Sequence, residues 1–160
     1  MRLDQPFSTW RHGVGAMITA LGLIAASPVH AALGGPRDSV EADRAHMAAR
    51  MQSTYTAAYT VQTLMPDNGD TIREFVAADG TVFAIAWTGP ARPDLRQLLG
   101  DRFDTMQADN GNRAGRVRRG PLTVDRGDFI LRTGGHSGAF WGLAYLPGSL
   151  PAGVKLDELR

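Results

Sequence analysis

Three groups of side chains in this sequence are equipped to act on another molecule. Gly135-His136-Ser137-Gly138 sets a hydroxyl beside an imidazole between glycines, the ingredients of a serine nucleophile and its base. The spacing argues against that use. A nucleophile elbow needs glycine two residues after the serine, where Ala139 stands, and it needs a helix to follow, where the pattern gives a strand. The remaining hydrolytic option pairs His136 with a nearby carboxylate, Asp125 or Asp128. A milder role makes His136 a ligand-contacting, pH-responsive group.

Arg113, Arg116, Arg118 and Arg119 form a basic run, with Arg126 and Arg132 nearby. Guanidinium groups at this density suit phosphates or carboxylates on an envelope polymer or lipid headgroup, set against the plainer reading of a solvated loop balanced by acids elsewhere. No aromatic residue interleaves them, so nucleic acid is not indicated. Phe140, Trp141 and Tyr145 share one strand, whose alternation puts Trp141, Leu143 and Tyr145 on one face and Phe140, Gly142, Ala144 and Leu146 on the other. An exposed Trp/Tyr pair suits stacking on a sugar, whereas a buried pair is core, the commoner fate of such residues. Of the four histidines, the two beyond residue 31, His46 and His136, are scattered and make no metal signature, and no glycine-rich loop opens a helix after a strand, so neither metal nor cofactor is indicated.

The elements that must position these groups follow from periodicity. Ser39 caps a predicted helix running from Val40 to Met51, with a thin stripe of Val40, Met47 and Met51. A strand from Tyr55 to Leu64 follows, with Tyr55, Ala57, Tyr59 and Val61 on one side. Pro66-Asp67-Asn68-Gly69-Asp70 and Asp79-Gly80 are turns, separating strands Thr71 to Ala77 and Thr81 to Trp87. The last is apolar on both faces, which predicts a central, covered strand. Asp94 caps an amphipathic helix from Leu95 to about Met106, its stripe formed by Leu95, Leu98, Leu99, Phe103 and Met106. A polar loop, Asp109 to Gly120, leads to strands Leu122 to Asp125, Phe129 to Thr133 and Phe140 to Leu146, with Gly134 to Gly138 as a turn and one helical turn after Val154. The expected fold is α+β: an antiparallel sheet of two three-stranded, meander-like halves, an N-terminal helix, and a central amphipathic helix packed on the sheet.

The N-terminus predicts export. Arg2 and Arg11 precede an uncharged, mostly apolar stretch from Val14 to Ala26, too short to span a bilayer, and Pro28 then breaks the helix. Val29-His30-Ala31 offers slim residues at the positions read by a signal peptidase, predicting cleavage after Ala31 and a single mature domain over 32–160. With Arg2, Arg11 and Asp4 removed, the 17 basic and 16 acidic residues of the precursor become 15 and 15, so net charge implies neither a nucleic-acid nor a membrane partner. The chain has no cysteine, which removes thiol catalysis and disulfide cross-linking.

The order of short motifs is also familiar. Gly34-Gly35-Pro36, Asp38-Ser39-Val40, Tyr59-Thr60-Val61, Arg73-Glu74-Phe75-Val76, Val82 to Pro90, Pro93 to Gly100, Gly134-Gly135-His136 and Ala144 to Pro147 together resemble an exported proteobacterial family, domain of unknown function 2844. The resemblance covers nearly the whole mature chain and implies a Gram-negative envelope location. It transfers no catalytic residue, and Ser137 lies outside the matching motif. The sequence therefore favours a soluble, non-enzymatic periplasmic or secreted module that binds an envelope component or partner protein, with His136, Trp141, Tyr145, Arg116, Arg118 and Arg119 as candidate contacts. The alternatives are a small hydrolase built on His136 and an inhibitor presenting the loop from Gly134 to Gly138.

Overall fold

Two glycine turns fold the first half of the chain back on itself. In the computed structural model, which describes residues 33–111 and 121–159, Gly69 and Gly80 take φ of 88° each, a conformation that side chains with a Cβ resist. Asn68 Oδ1 accepts the Asp70 N–H at 3.0 Å, and Asp79 Oδ1 accepts the Thr81 N–H at 2.8 Å, so both turns are closed by their own side chains. The turns join β2 (Tyr59–Met65), β3 (Thr71–Ala77) and β4 (Val82–Gly89) in antiparallel register.

A fourth strand precedes them. β1 (Arg50–Tyr55) pairs with β2 from Arg50↔Met65 to Tyr55↔Thr60, so Tyr55 and Tyr59 lie on different strands rather than on one. The reversal at Thr56-Ala57-Ala58 has no glycine, proline or asparagine to announce it. The Thr56 hydroxyl supplies the turn, donating to the Tyr59 carbonyl at 2.7 Å and accepting the Tyr59 N–H at 3.0 Å.

The room for β1 comes from an earlier helix end. α1 (Ser39–His46) stops short of Met51 because Ala48 turns left-handed at φ 48°. The Ala49 N–H then bonds the Arg44 carbonyl at 2.9 Å and the Ala48 N–H bonds the Ala45 carbonyl at 3.2 Å, the pairing of a Schellman motif with alanine where glycine is usual. At the other end Asp38 holds the N-cap position without a side-chain bond, while the Ser39 hydroxyl donates to the Pro36 carbonyl.

The amphipathic helix after Asp94 is two helices. Asp94 Oδ1 accepts the Arg96 and Gln97 N–H groups and starts α2 (Leu95–Leu99) as expected. Gly100, at φ 51°, ends it, and α3 (Arg102–Gly111) resumes after the bend. The apolar stripe survives the break: Leu98, Leu99 and Met106 are buried in the same core that Leu95 and Phe103 cover.

β5 (Leu122–Asp125), β6 (Ile130–His136) and β7 (Ala139–Tyr145) form the second meander. β7 returns to pair with β4, giving one seven-stranded antiparallel sheet of order β1-β2-β3-β4-β7-β6-β5. The two halves therefore hold four and three strands. β4 is the middle strand, and Val82 to Trp87 are all buried, as its two-faced apolar run demands.

One face carries the helices over Leu64, Ile72, Ile85, Trp87, Leu131 and Ala144. The other is crossed by the C-terminal segment after a 3₁₀ turn at Pro147–Ser149. Leu150 and Val154 pack on Phe75, Phe83, Ala84 and Tyr145, and Leu159, from a second 3₁₀ turn at Leu156–Leu159, is fully buried among them. Tyr59, Phe75 and Phe83 meet edge-on or tilted beneath this strap, with ring centroids 5.8 to 6.2 Å apart.

Candidate functional site

The C-terminal strap covers only part of its face, and the uncovered part is a cleft of about 460 Å³. Register builds it in three rungs across β3, β4, β7 and β6. The middle rung reads Arg73↔Ala86↔Leu143↔Arg132, so two apolar side chains form the floor and an arginine rises at either end. Neighbouring strands are about 4.8 Å apart, which puts the two arginine Cα atoms about 14 Å from each other. On one side the rung Thr71↔Thr88↔Trp141↔Gly134 supplies Trp141, and on the other Phe75↔Ala84↔Tyr145↔Ile130 supplies Tyr145. Ala86 makes the hollow, because a longer side chain there would fill the floor. Leu156, on the strap, completes the rim.

Trp141 is 43 % exposed although it is a large apolar side chain, and Leu156 is 37 % exposed. Among the described residues the other exposed large hydrophobics are Met51 and Tyr55, both on edge strand β1. Trp141 leans on its cross-strand partner Gly134, where a Cβ would meet the indole at 3.0 Å. The same device recurs on the opposite face, where the Trp87 ring occupies the space above Gly142 and a Cβ on Gly142 would overlap it. Each tryptophan thus lies over a glycine paired with it, a packing that stabilises glycine within a strand.

The cleft is cationic. Among the described residues its lining side chains include Arg73 and Arg132 and no carboxylate. Among the described residues neither arginine is in an ion pair, whereas Arg44, Arg96, Arg102 and Arg126 are paired with Glu41, Asp104, Asp128 and Asp109.

Of the residues singled out from the sequence, the structure brings Trp141 and Tyr145 into this cleft, the first exposed and the second 5 % exposed at its inner wall. Arg132, noted there only as a neighbour of the basic run, joins them. Arg116, Arg118 and Arg119, with Arg113, lie outside the described residues. His136 does not approach the cleft. It ends β6 opposite Ala139, at an exposed two-residue hairpin tip, with Nδ1 3.0 Å from the Ser137 carbonyl oxygen. That tip is strand-paired through His136 instead of being a loop from Gly134. Asp125 pairs with Ile130, six residues back along the strand or about 20 Å, and Asp128 bonds Arg102, so His136 meets neither carboxylate. Among the described residues no cluster of three or more potential metal ligands is found, and no helix is long and apolar enough to cross a membrane.

A buried acid pair went unnoticed in the sequence. Glu74 on β3 and Asp43 on α1 are both fully buried and lie beside each other, and Gln97 Nε2 on α2 donates to Asp43 Oδ1. Burial, and then the adjacent Asp43 carboxylate, pushes the Glu74 carboxyl well above its usual range. The Gln97–Asp43 bond ties α2 to α1, and Glu74 meets it from the sheet on the face away from the cleft. Its only sequence signal was a Glu on the inward side of an alternating strand, between Ile72 and Val76.

No curated protein and no solved structure matches the chain. A family model described as protein of unknown function (DUF2844) matches residues 29–159, which takes in every strand of the sheet, both walls of the cleft and the buried acid pair. The chain belongs to that family.

Proposed function

We propose that this protein is an exported, non-enzymatic binding module of the cell envelope and that the cleft between Arg73 and Arg132 is its binding site. The observation that carries the reading is Trp141. A half-exposed indole standing over an apolar floor is an unsatisfied hydrophobic surface, and such surfaces mark places where another molecule is held. The cavity volume lies within the range of small-molecule sites, roughly 300–1,000 Å³. Export is supported by the charged, apolar and small-residue order of the first 31 residues, with processing after Ala31.

The test is affinity purification of tagged protein from its own cell envelope, wild type beside Trp141→Ala. Material retained by the wild type and lost from the variant supports the reading. Identical recovery from both overturns it. The intact mass of the recovered chain reports processing in the same experiment, and it is expected to begin at Ala32.

A further inference from the structure

We propose that the ligand of this cleft is a single-chain amphipathic anion, its hydrocarbon body packed against Leu143, Trp141 and Leu156, and its carboxylate or phosphate group reached by Arg73 from one side and Arg132 from the other. The inference rests on the binding reading above and gives it a ligand class.

The argument starts from what the rungs place together. Ala86 and Leu143 form an apolar floor, and Trp141 and Leu156 add half-exposed apolar walls. A neutral sugar could stack a C–H face on Trp141 but would give the arginines no anion to pair with, and a peptide backbone would leave hydrogen-bonding groups facing the floor unpaired, at a desolvation cost of about 1–3 kcal/mol each. A hydrocarbon chain carries no such cost. The charge is equally one-sided, since among the described residues two guanidinium groups line the cleft and no acid does. Guanidinium recognises carboxylate and phosphate through paired N–H donors, and beside an apolar wall that interaction is less screened than in open water. Because Arg73 and Arg132 close the two ends of the same rung, an anionic group over the middle of that rung lies within reach of both side chains. Neither arginine has an ion-pair partner among the described residues to give up when a ligand arrives.

Calorimetric titration of the processed protein with decanoate, decyl phosphate, decanol and decyltrimethylammonium, each below its micelle concentration, tests the proposal. One or both anions are expected to bind at least tenfold tighter than the alcohol or the cation. Preference for decanoate identifies a free fatty acid type of ligand, and preference for decyl phosphate a phosphorylated lipid. Arg73→Gln and Arg132→Gln are each expected to weaken anion binding at least fivefold and to leave decanol binding unchanged, with circular dichroism confirming that both variants fold. Equal affinity for anion and alcohol, insensitivity to both arginine variants, or no binding of any of the four overturns the proposal. The wider binding reading then stands or falls separately, on whether envelope material is retained through Trp141.

Discussion

Arg73 on β3 and Arg132 on β6 stand on one rung of the sheet, separated by Ala86 and Leu143 alone. With about 14 Å between their Cα atoms, the two side chains can converge on one anionic group over the middle of the rung. Salt screens such an attraction over a Debye length of about 10 Å at 0.1 M, so anion binding is expected to weaken as ionic strength rises.

The buried Asp43–Glu74 pair makes stability depend on pH in a definite direction. The Glu74 carboxyl is held above its usual value of 4.5 by burial and by Asp43, so the folded state keeps a proton that the unfolded state releases. The contribution of this pair is full below about pH 4.5 and is lost as pH rises through the elevated folded value. Glu74→Gln keeps the shape of the side chain without the titration, and its melting temperature is expected to change less with rising pH than that of the wild type. Glu74→Ala, which leaves a cavity beside the buried Asp43, is expected to cost roughly 3 kcal/mol in chemical denaturation. A wild-type pH dependence identical to that of Glu74→Gln would refute this account.

Ala48 pays for a backbone shape that glycine adopts freely. It occupies the left-handed position of the Schellman motif ending α1, at φ 48°, and is exposed. A left-handed conformation costs a residue with a Cβ about 1–2 kcal/mol. Ala48→Gly is therefore expected to raise stability by about 1 kcal/mol, the remainder being offset by the greater freedom of glycine in the unfolded chain. Equilibrium urea unfolding at constant m-value measures it.

The two glycines under tryptophans respond differently. A Cβ on Gly142 collides with the buried Trp87 ring between β4 and the helices, where nothing can yield, so Gly142→Ala is expected to lose about 3 kcal/mol. A Cβ on Gly134 meets the exposed edge of Trp141 at 3.0 Å, and that indole can tilt into solvent. Gly134→Ala is expected to cost under about 1 kcal/mol, to shift the Trp141 fluorescence, and to weaken ligand binding in the cleft. Thermal denaturation and emission spectra of the two variants side by side check both halves.

Much of the scaffold was legible because its signals are local. Asn68-Gly69 and Asp79-Gly80 announce reversals by the backbone shapes they favour, the run from Val82 to Trp87 announces a strand covered on both faces, and Asp94 announces a helix start. The places that misled were those where ordinary residues do special work. Ala48 ends a helix in the position of a glycine, and Thr56 closes a hairpin with its hydroxyl, so α1 was read too long and β1 was read as helix and as part of β2. Gly100 splits the second helix at a point where the apolar stripe continues unbroken.

Alternation along β7 was enough to put Trp141 and Tyr145 on one face, since side chains on a strand point to opposite sides in turn. It was not enough to say which of the two would be covered. That was decided by the C-terminal strap, which buries Tyr145 beneath Leu150, Val154 and Leu159 and stops short of Trp141. The sequence by itself determined that there is a sheet, which residues turn it, and which side chains share a face. Only the tertiary structure brought Arg73, Ala86, Leu143 and Arg132 into one row, because that row depends on three strand pairings summed across the sheet. A one-residue slip in any of them would move an arginine to the other face. Cross-sheet register is a property of the packed whole, and the cleft exists at that level alone.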